Sequence, residues 1–213
     1  MEKNIVLYID EEQGALDSYG RVLRKKLPAG IEVVCSFPEP TLPLMLKFIC
    51  GMRARIASIV VDEHLEVAGT ADYVGSQLAE AYRQLDNKIP IYILSNHPEE
   101  IDENLQSVEY VLSKDDFADG GAALDSATRR MARHMDAYGE ILNEREQRFT
   151  DLLRKYVTSE ISELESKELD ELKFWREVPA AIEESTMTAE LKKKLDDQEL
   201  VLKKIELLLA GKI

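Results

Sequence analysis

Several short apolar runs of this sequence end in side chains that can carry phosphoryl or metal chemistry. Asp10 and Glu11 follow the first run, Asp62 follows the third, and Ser95 and Lys114 follow the last two. In an open α/β sheet, functional side chains collect at the carboxyl ends of the parallel strands. We therefore expect three carboxylates, a hydroxyl and an ammonium group to meet at one edge of a sheet.

This set of groups suits the transfer of a phosphoryl group to a carboxylate. Asp62 is the candidate nucleophile, because an ionised carboxylate can form an aspartyl phosphate. Asp10 and Glu11 offer the hard oxygen ligands that Mg²⁺ prefers. Lys114 can pair with Asp62 before the reaction and with a phosphate oxygen afterwards, and Ser95 can donate a hydrogen bond to the phosphate.

The elements that position these groups alternate between strand and helix. Short β-branched runs bounded by turn residues predict strands at 4–9, 32–37, 57–61, 90–94 and 109–112. Amphipathic stretches between them predict helices at about 12–26, 41–53, 70–86, 98–106 and from 119 onward. This alternation predicts a doubly wound α/β domain over residues 1–136, with a five-stranded parallel sheet covered on both faces.

The pattern changes in residues 137–213, which we predict to be a coiled-coil-like arm of two or three amphipathic helices. Two heptad-spaced seams are interrupted by one charged and one polar residue. They are Tyr138, Leu142, Arg145, Phe149, Leu152 and Tyr156, then Leu191, Leu195, Gln198, Leu202, Ile205 and Leu209. The seams fit packing within the chain, self-association or a partner's helix, and the sequence leaves these alternatives open.

Composition narrows the classes of function. The 213 residues carry a formal net charge of -14, which disfavours binding to nucleic acid or to an anionic membrane surface. Two cysteines give no disulfide framework, and no apolar run has the length of a membrane span. We expect a cytoplasmic protein.

His134 lies in a helical stretch and is interpreted as a surface residue rather than a phosphotransfer histidine.

The segments IVLYIDEE, IVVDEH, IYILSN and YVLSKDD, in this order, resemble the receiver domain of bacterial response regulators. The resemblance covers roughly residues 3–136 and implies a flavodoxin/CheY-like sheet with a site for Mg²⁺. It implies a phosphoacceptor role for Asp62, a metal-binding acidic pair at Asp10 and Glu11, the family's hydroxyl and lysine at Ser95 and Lys114, and a metal-binding backbone carbonyl at His64.

Three positions depart from the pattern of that family. Asp115 stands where a proline usually follows the lysine, and Asn96 is bulkier than the small residue that is usual beside Ser95. The aromatic residue expected three positions before Lys114 is displaced by one, so that Val111 occupies its place and Tyr110 precedes it. Neighbouring strand residues face opposite sides, so Tyr110 is expected to point elsewhere.

The leading hypothesis is an atypical response regulator without enzymatic turnover of its own. Phosphorylation of Asp62 by a sensor kinase or another phosphodonor would control protein contacts made by the arm, including a homodimer as one arrangement. The alternative is a pseudo-receiver that acts as a constitutive interaction or assembly module. A phosphatase with an aspartate nucleophile is the weakest hypothesis, because Glu12 would have to replace its usual second aspartate.

Overall fold

The computed structural model describes residues 4–67, 69–101, 106–119 and 121–176. Five strands form one parallel sheet in the order β2-β1-β3-β4-β5. The strands are β1 (Asn4–Ile9), β2 (Ile31–Ser36), β3 (Ile56–Asp62), β4 (Ile91–Ser95) and β5 (Tyr110–Ser113). This is the flavodoxin-like order of doubly wound folds, and the predicted fold class is confirmed.

Burial explains why the strands read as continuous apolar runs. All seven residues of β3 are buried, since β3 lies at the centre of the sheet with helices on both of its faces. In β1 only Asn4 is exposed. The chain order reverses between β1 and β3, and a doubly wound sheet forms its site beyond the carboxyl ends of the strands at such a point.

Six helices and one 3₁₀ turn connect and extend the described part of the sheet. The helices are α1 (Gln13–Lys26), α2 (Leu42–Met52), α3 (Gly75–Arg83), α4 (Lys114–Asp119), α5 (Ala122–Val157) and α6 (Glu163–Arg176). The helix predicted at 98–106 is a 3₁₀ turn at Pro98–Glu100, and residues 102–105 lie outside the described ranges. None of the helices in the described ranges has the length and apolar character needed to cross a membrane.

The sheet has a separate apolar core on each face. One core contains residues of α2 and α3, among them Met45, Ile49, Leu78 and Tyr82. The other contains residues of α1, α4 and α5, among them Leu16, Leu23, Phe117, Met131 and Met135. Both faces are therefore covered, as the apolar pattern of the strands predicts.

Helix α5 links the sheet to the arm without a break. It has 36 residues, a length of about 54 Å at 1.5 Å per residue. Met131 and Met135 belong to the core beneath α1, whereas Tyr138 belongs to the core on the opposite face. The helix thus runs along one face of the sheet and reaches the other core, and it passes the predicted boundary at residue 136 as one continuous helix.

Beyond the sheet, α5 packs against α6 as an antiparallel helical hairpin. Leu152 and Leu169 are buried between the helices. The Arg148 guanidinium donates two hydrogen bonds to Glu168, at 2.8 and 2.6 Å. Lys155 pairs with Glu165, and Arg176 pairs with Glu146. Tyr138 and Leu152 of the first seam are therefore buried within the chain, whereas Tyr156 at its end is exposed. The second seam, from Leu191 to Leu209, lies outside the described residues.

A buried acid anchors the arm to the sheet domain. Asp86, in the loop after α3, accepts a 2.6 Å hydrogen bond from the Tyr138 hydroxyl and lies 3.4 Å from an Arg145 nitrogen. The Lys88 backbone N–H also donates to Asp86, at 3.0 Å. A buried carboxylate needs such donors, because it has lost its water. Tyr138 and Arg145 thus join the first turns of the arm to the sheet domain.

Tyr138→Phe is expected to lower the free energy of unfolding by about 1–3 kcal/mol, the usual cost of removing one partner from a buried polar group. Urea denaturation measures the change. Tyr156→Phe is the control, because Tyr156 is 55% exposed and its ring is retained. Equal effects of the two substitutions would contradict an anchoring role for the Tyr138 hydroxyl.

Candidate functional site

The carboxyl ends of β1, β3, β4 and β5 bring the expected groups together. Asp62 ends β3 and lies opposite Leu94, one residue before Ser95. Ser95 in turn lies opposite Ser113, the residue before Lys114. Asp10, Asp62, Ser95 and Lys114 are all buried, with no more than 9% of any residue exposed. The edge of the sheet predicted from the strand ends is thus a buried polar site.

The central contact is an ion pair between Asp62 and Lys114. The Lys114 ammonium lies 2.6 Å from Asp62 Oδ1, and the backbone N–H of His64 donates to Asp62 Oδ2 at 2.9 Å. Burial opposes the charge of Lys114, but the hydrogen bond to Asp62 and the charges of Asp62, Asp10 and Glu11 outweigh burial and raise its pKa. Lys114 is therefore a permanent cation that neutralises only part of the local negative charge.

Asp10 is held by donors from its own strand end. Its Oδ2 accepts a 2.5 Å hydrogen bond from the Tyr8 hydroxyl, and its Oδ1 accepts a 2.9 Å bond from the Glu12 backbone N–H. Lys114 lies further away, at 3.7 Å from Oδ2. Burial nonetheless raises the pKa of Asp10, because these hydrogen bonds and Lys114 offset the lost hydration only in part.

Glu11 is less well supported than Asp10. Its Oε2 atom is buried and has no hydrogen-bond partner. Burial outweighs a hydrogen bond from its own backbone and raises its pKa, and the charges of Asp62 and Asp10 raise it further. A buried carboxylate oxygen without a donor is the kind of group that a hard cation satisfies. The donor set of Asp10, Glu11 and Asp62 fits Mg²⁺ in this respect.

The carboxylates do not converge on a single point. Within the described ranges, no group of three or more His, Cys, Asp or Glu side chains is arranged to hold a metal ion. Asp10 instead faces Tyr8, and Asp62 faces Lys114. Binding of a cation here requires these two carboxylates to share or leave their present partners.

His64 contributes its backbone rather than its ring. Its N–H donates to Asp62, while its carbonyl accepts a 3.4 Å bond from the Val67 N–H. The imidazole is half exposed and lies 3.6 Å from Glu66. The carbonyl predicted as a metal ligand is therefore part of the turn that follows β3.

Ser95 is oriented by the loop after β4. Its Oγ accepts a 3.0 Å bond from the His97 backbone N–H, so the hydroxyl proton is available to another acceptor. Ser95 itself is buried, while Asn96 beside it is exposed.

The loop between β3 and α3 returns to the backbone of Asp62. A methyl group placed on Gly75, the first residue of α3, would lie 2.3 Å from the Asp62 carbonyl oxygen. Glu63 fixes the same helix end by accepting bonds from the Ser76 N–H at 2.9 Å and the Ser76 hydroxyl at 2.7 Å. Helix α3 therefore begins at Gly75, later than the predicted residue 70, because this return precedes it.

The sequence does not indicate that three aromatic residues lie near the site. Tyr8 was treated as a strand residue only, although it lies two residues before Asp10 and so shares its face of the sheet. The Tyr19 ring lies 5.9 Å from the Lys114 ammonium and meets Phe117 edge to face at 6.3 Å. No local sequence signal joins Tyr19 to Lys114, because the two are brought together only by the packing of α1 on α4.

The prediction for His134 is wrong in part. The residue is half-buried, and its Nδ1 atom lies 2.7 Å from the Tyr92 hydroxyl on β4. The Tyr110 prediction agrees with the structure: Tyr110 is 49% exposed, its ring lies 4.6 Å from the Arg130 guanidinium, and Val111 packs against the core.

Receiver domains are among the solved structures that this chain is similar to. No protein-family model matches the sequence, and no curated protein matches it. Among solved structures, a response regulator receiver domain protein from Clostridium thermocellum is 14% identical with a TM-score of 0.49, over 65% of this chain and 98% of that chain. NtrX from Brucella abortus is 18% identical with a TM-score of 0.49, over 67% of this chain and 29% of that chain. A CheY-like receiver domain protein from Methanospirillum hungatei JF-1 is 15% identical with a TM-score of 0.45, over 63% of this chain and 98% of that chain.

At these identities the likeness concerns the fold alone. The fold is defined independently by the strand order β2-β1-β3-β4-β5 with helices on both faces. The N-terminal part of the chain has the doubly wound fold of receiver domains, and the resemblance predicted from the sequence is confirmed at that level.

Gly75→Ala is expected to destabilise the protein by about 1–3 kcal/mol, because the added methyl group must displace the Asp62 backbone or the start of α3. Denaturant unfolding measures the loss. Gly51→Ala is a matched control, since Gly51 lies in α2 and the added methyl group would meet no atom within 4 Å apart from its chain neighbours and the local helix backbone. Alanine in a helix is expected to be neutral or stabilising there. A Gly75→Ala variant that loses no stability would contradict the close packing of Gly75 on Asp62.

Proposed function

We propose that this chain is an atypical response regulator in which Asp62 accepts a phosphoryl group. The observation that carries the proposal is the buried Asp62–Lys114 ion pair, with the acidic pair Asp10 and Glu11 beside it. Transfer of a phosphoryl group to an aspartate requires a carboxylate nucleophile, a nearby ammonium group such as that of Lys114, and additional acidic ligands for a metal ion. The protein would take part in signalling through a covalent modification and have no turnover of a separate substrate.

The reaction is a displacement at phosphorus. An Asp62 carboxylate oxygen attacks the phosphorus atom of the donor, a new O–P bond forms, and the bond between phosphorus and the leaving group breaks. The leaving group departs with the electron pair of that bond. With acetyl phosphate as donor it is acetate, and with a sensor kinase it is the kinase side chain that carried the phosphoryl group. The product is an acyl phosphate on Asp62.

Lys114 and Ser95 would stabilise the charge that arrives with the phosphoryl group. Lys114 now pairs with Asp62 and has to move its ammonium group to a phosphate oxygen as the carboxylate becomes an ester-like oxygen. The Ser95 hydroxyl proton is available for a second phosphate oxygen, because Oγ already accepts from the His97 N–H. These two contacts distinguish the phosphorylated from the unphosphorylated site.

Asp10, Glu11, Asp62 and the His64 carbonyl are the groups we propose to hold Mg²⁺. The unsatisfied Oε2 atom of Glu11 and the raised pKa of both acidic side chains support this assignment. The cation supplies neutralisation of the negative charge on the transferred group.

The output of the modification would travel through α4 and α5 to the arm. Helix α4 begins at Lys114, and its Phe117 shares a core cluster with Leu124 of α5. A shift of Lys114 toward the phosphate would therefore move the start of α4, which packs against α5, the helix that forms the arm. This is a spatial connection, and its energetic coupling is what an experiment has to measure.

The arm offers a face for a protein partner. Five of the large apolar side chains that are exposed in the described residues lie on α5 and α6. They are Leu153, Tyr156, Val157, Leu164 and Phe174. A concentration of exposed apolar side chains is typical of a surface that contacts another molecule. With a net charge of -14, contact with protein is favoured over contact with nucleic acid. A protein partner or a second copy of the arm would cover these side chains.

The alternative function is a pseudo-receiver that serves as a constitutive interaction module. One observation favours it: the Tyr110 ring is exposed and lies against the Arg130 guanidinium. Such a protein would keep the Asp62–Lys114 pair as a structural contact and expose the arm surface in all conditions.

The first experiment is intact-mass spectrometry after incubation with acetyl phosphate and magnesium. We expect the wild type to gain one phosphoryl group, about 80 Da, that hydroxylamine removes, as it should from an acyl phosphate. Asp62→Asn is expected to gain nothing. Asp116→Asn is the matched control, because Asp116 is exposed two residues after Lys114 and should leave the gain unchanged. A folded wild type without an adduct would support the pseudo-receiver instead.

Coupling to the arm is tested by amide hydrogen exchange with and without phosphorylation. We expect exchange rates of α4 and of the first turns of α5 to change several-fold in the wild type, because Lys114 leaves Asp62 for the phosphate. The Asp62→Asn variant treated in the same way should show no change. A phosphorylated wild type with unchanged exchange throughout α5 would separate the modification from the arm.

A further inference from the structure

Tyr8 carries a polar atom at a place where the fold needs only an apolar ring. Its side chain is fully buried in the core that contains Val6, Val60 and Leu94. The hydroxyl lies at the site end of the ring and donates a 2.5 Å hydrogen bond to Asp10 Oδ2. A phenylalanine would fill the same volume, so the hydroxyl contributes to the acidic site rather than to packing.

This bond makes the acidic pair asymmetric. Both oxygens of Asp10 have a donor, the Tyr8 hydroxyl on Oδ2 and the Glu12 N–H on Oδ1. Glu11 has a buried oxygen with no donor at all. The two carboxylates that are proposed to bind a cation therefore differ: Asp10 has a hydrogen-bond donor on each oxygen, whereas Glu11 has one oxygen without a donor.

We propose that the Tyr8 hydroxyl is an internal competitor for the cation at Asp10, a positioning residue that weakens binding of Mg²⁺. The inference rests on the proposed function and deepens it, because it assigns a control element to the same acidic site. The hydroxyl proton and a cation both need electron density of Asp10 Oδ2, and the positive end of the O–H dipole repels a cation that approaches this oxygen. Binding of Mg²⁺ therefore requires that the Tyr8–Asp10 hydrogen bond break or lengthen.

One further observation agrees with competition. The Lys114 ammonium approaches the same Oδ2 atom at 3.7 Å. Two donors thus converge on one oxygen, and together they stabilise the carboxylate without a metal ion.

The test is calorimetric titration of the full chain with MgCl₂, in the wild type, Tyr8→Phe and Tyr92→Phe. We expect Tyr8→Phe to bind Mg²⁺ about five- to tenfold more tightly than the wild type, which is within the range for the net contribution of one ordinary hydrogen bond that competes with the ligand. Tyr92→Phe should match the wild type, since it removes a hydroxyl from another buried strand tyrosine whose partner is His134.

Unchanged or weaker binding in a folded Tyr8→Phe variant would overturn the inference, and so would a lack of binding in both proteins. A second measurement needs no substitution: addition of Mg²⁺ to the wild type should alter the tyrosine absorbance as the Tyr8–Asp10 bond breaks. Saturation without such a change overturns the inference even where Tyr8→Phe fails to fold.

The outcome is separable from that of the phosphorylation experiment. Tighter binding by Tyr8→Phe without any phosphoryl adduct would support the role of Tyr8 and refute the proposed function. A phosphoryl adduct with equal Mg²⁺ affinities would do the reverse.

Discussion

The site depends on one buried cation among three carboxylates. Lys114 pairs with Asp62 at 2.6 Å. Its charge also acts on Asp10 and Glu11, but it does not fully offset the effect of burial on these two carboxylates. Removing charges from water is costly, and a pair recovers that cost only when its geometry and hydrogen bonds are good. The rest of the edge of the sheet supplies those bonds: the His64 N–H for Asp62, and the Glu12 N–H and Tyr8 hydroxyl for Asp10. Some negative charge remains uncompensated, and Glu11 has a buried oxygen without a hydrogen-bond donor.

Sequence patterns predict the sheet, and the grouping of the candidate site residues at its edge, because both depend on strands. A strand buried on both faces has to be apolar throughout, so β1, β3 and β4 are recognisable, and their carboxyl ends give Asp10, Asp62 and Ser95 directly. The connections are less predictable. Helix α3 begins at Gly75 because the preceding loop returns to Asp62, a contact between distant residues that leaves no local pattern. Likewise, nothing in the heptad seam marks Tyr138 as the partner of an aspartate 52 residues earlier.

The core and the site use tyrosine in related ways. Tyr8, Tyr92 and Tyr138 each bury a ring in a core cluster and present a hydroxyl to a polar group, respectively Asp10, His134 and Asp86. In each case the ring satisfies the apolar pattern, so the sequence predicts burial correctly and gives no sign of the bond. Two of these bonds, at Tyr92 and Tyr138, join the sheet domain to α5. The long helix is therefore fixed by directional contacts as well as by apolar packing.

The continuity of α5 has a mechanical consequence. The helix is held at Met131, Met135, Tyr138 and Arg145, and it extends for about 18 Å from Arg145 to its last residue, Val157, at 1.5 Å per residue. A stiff rod that pivots at its held end magnifies small rotations, so a tilt of about 10° at Arg145 would displace the far end by roughly 3 Å over this helical length. The hairpin with α6 stiffens the rod further through the Arg148–Glu168 pair. This geometry would let the helix act as a lever, so that rearrangements at the sheet too small to alter the fold would displace the tip of the hairpin by a few ångströms.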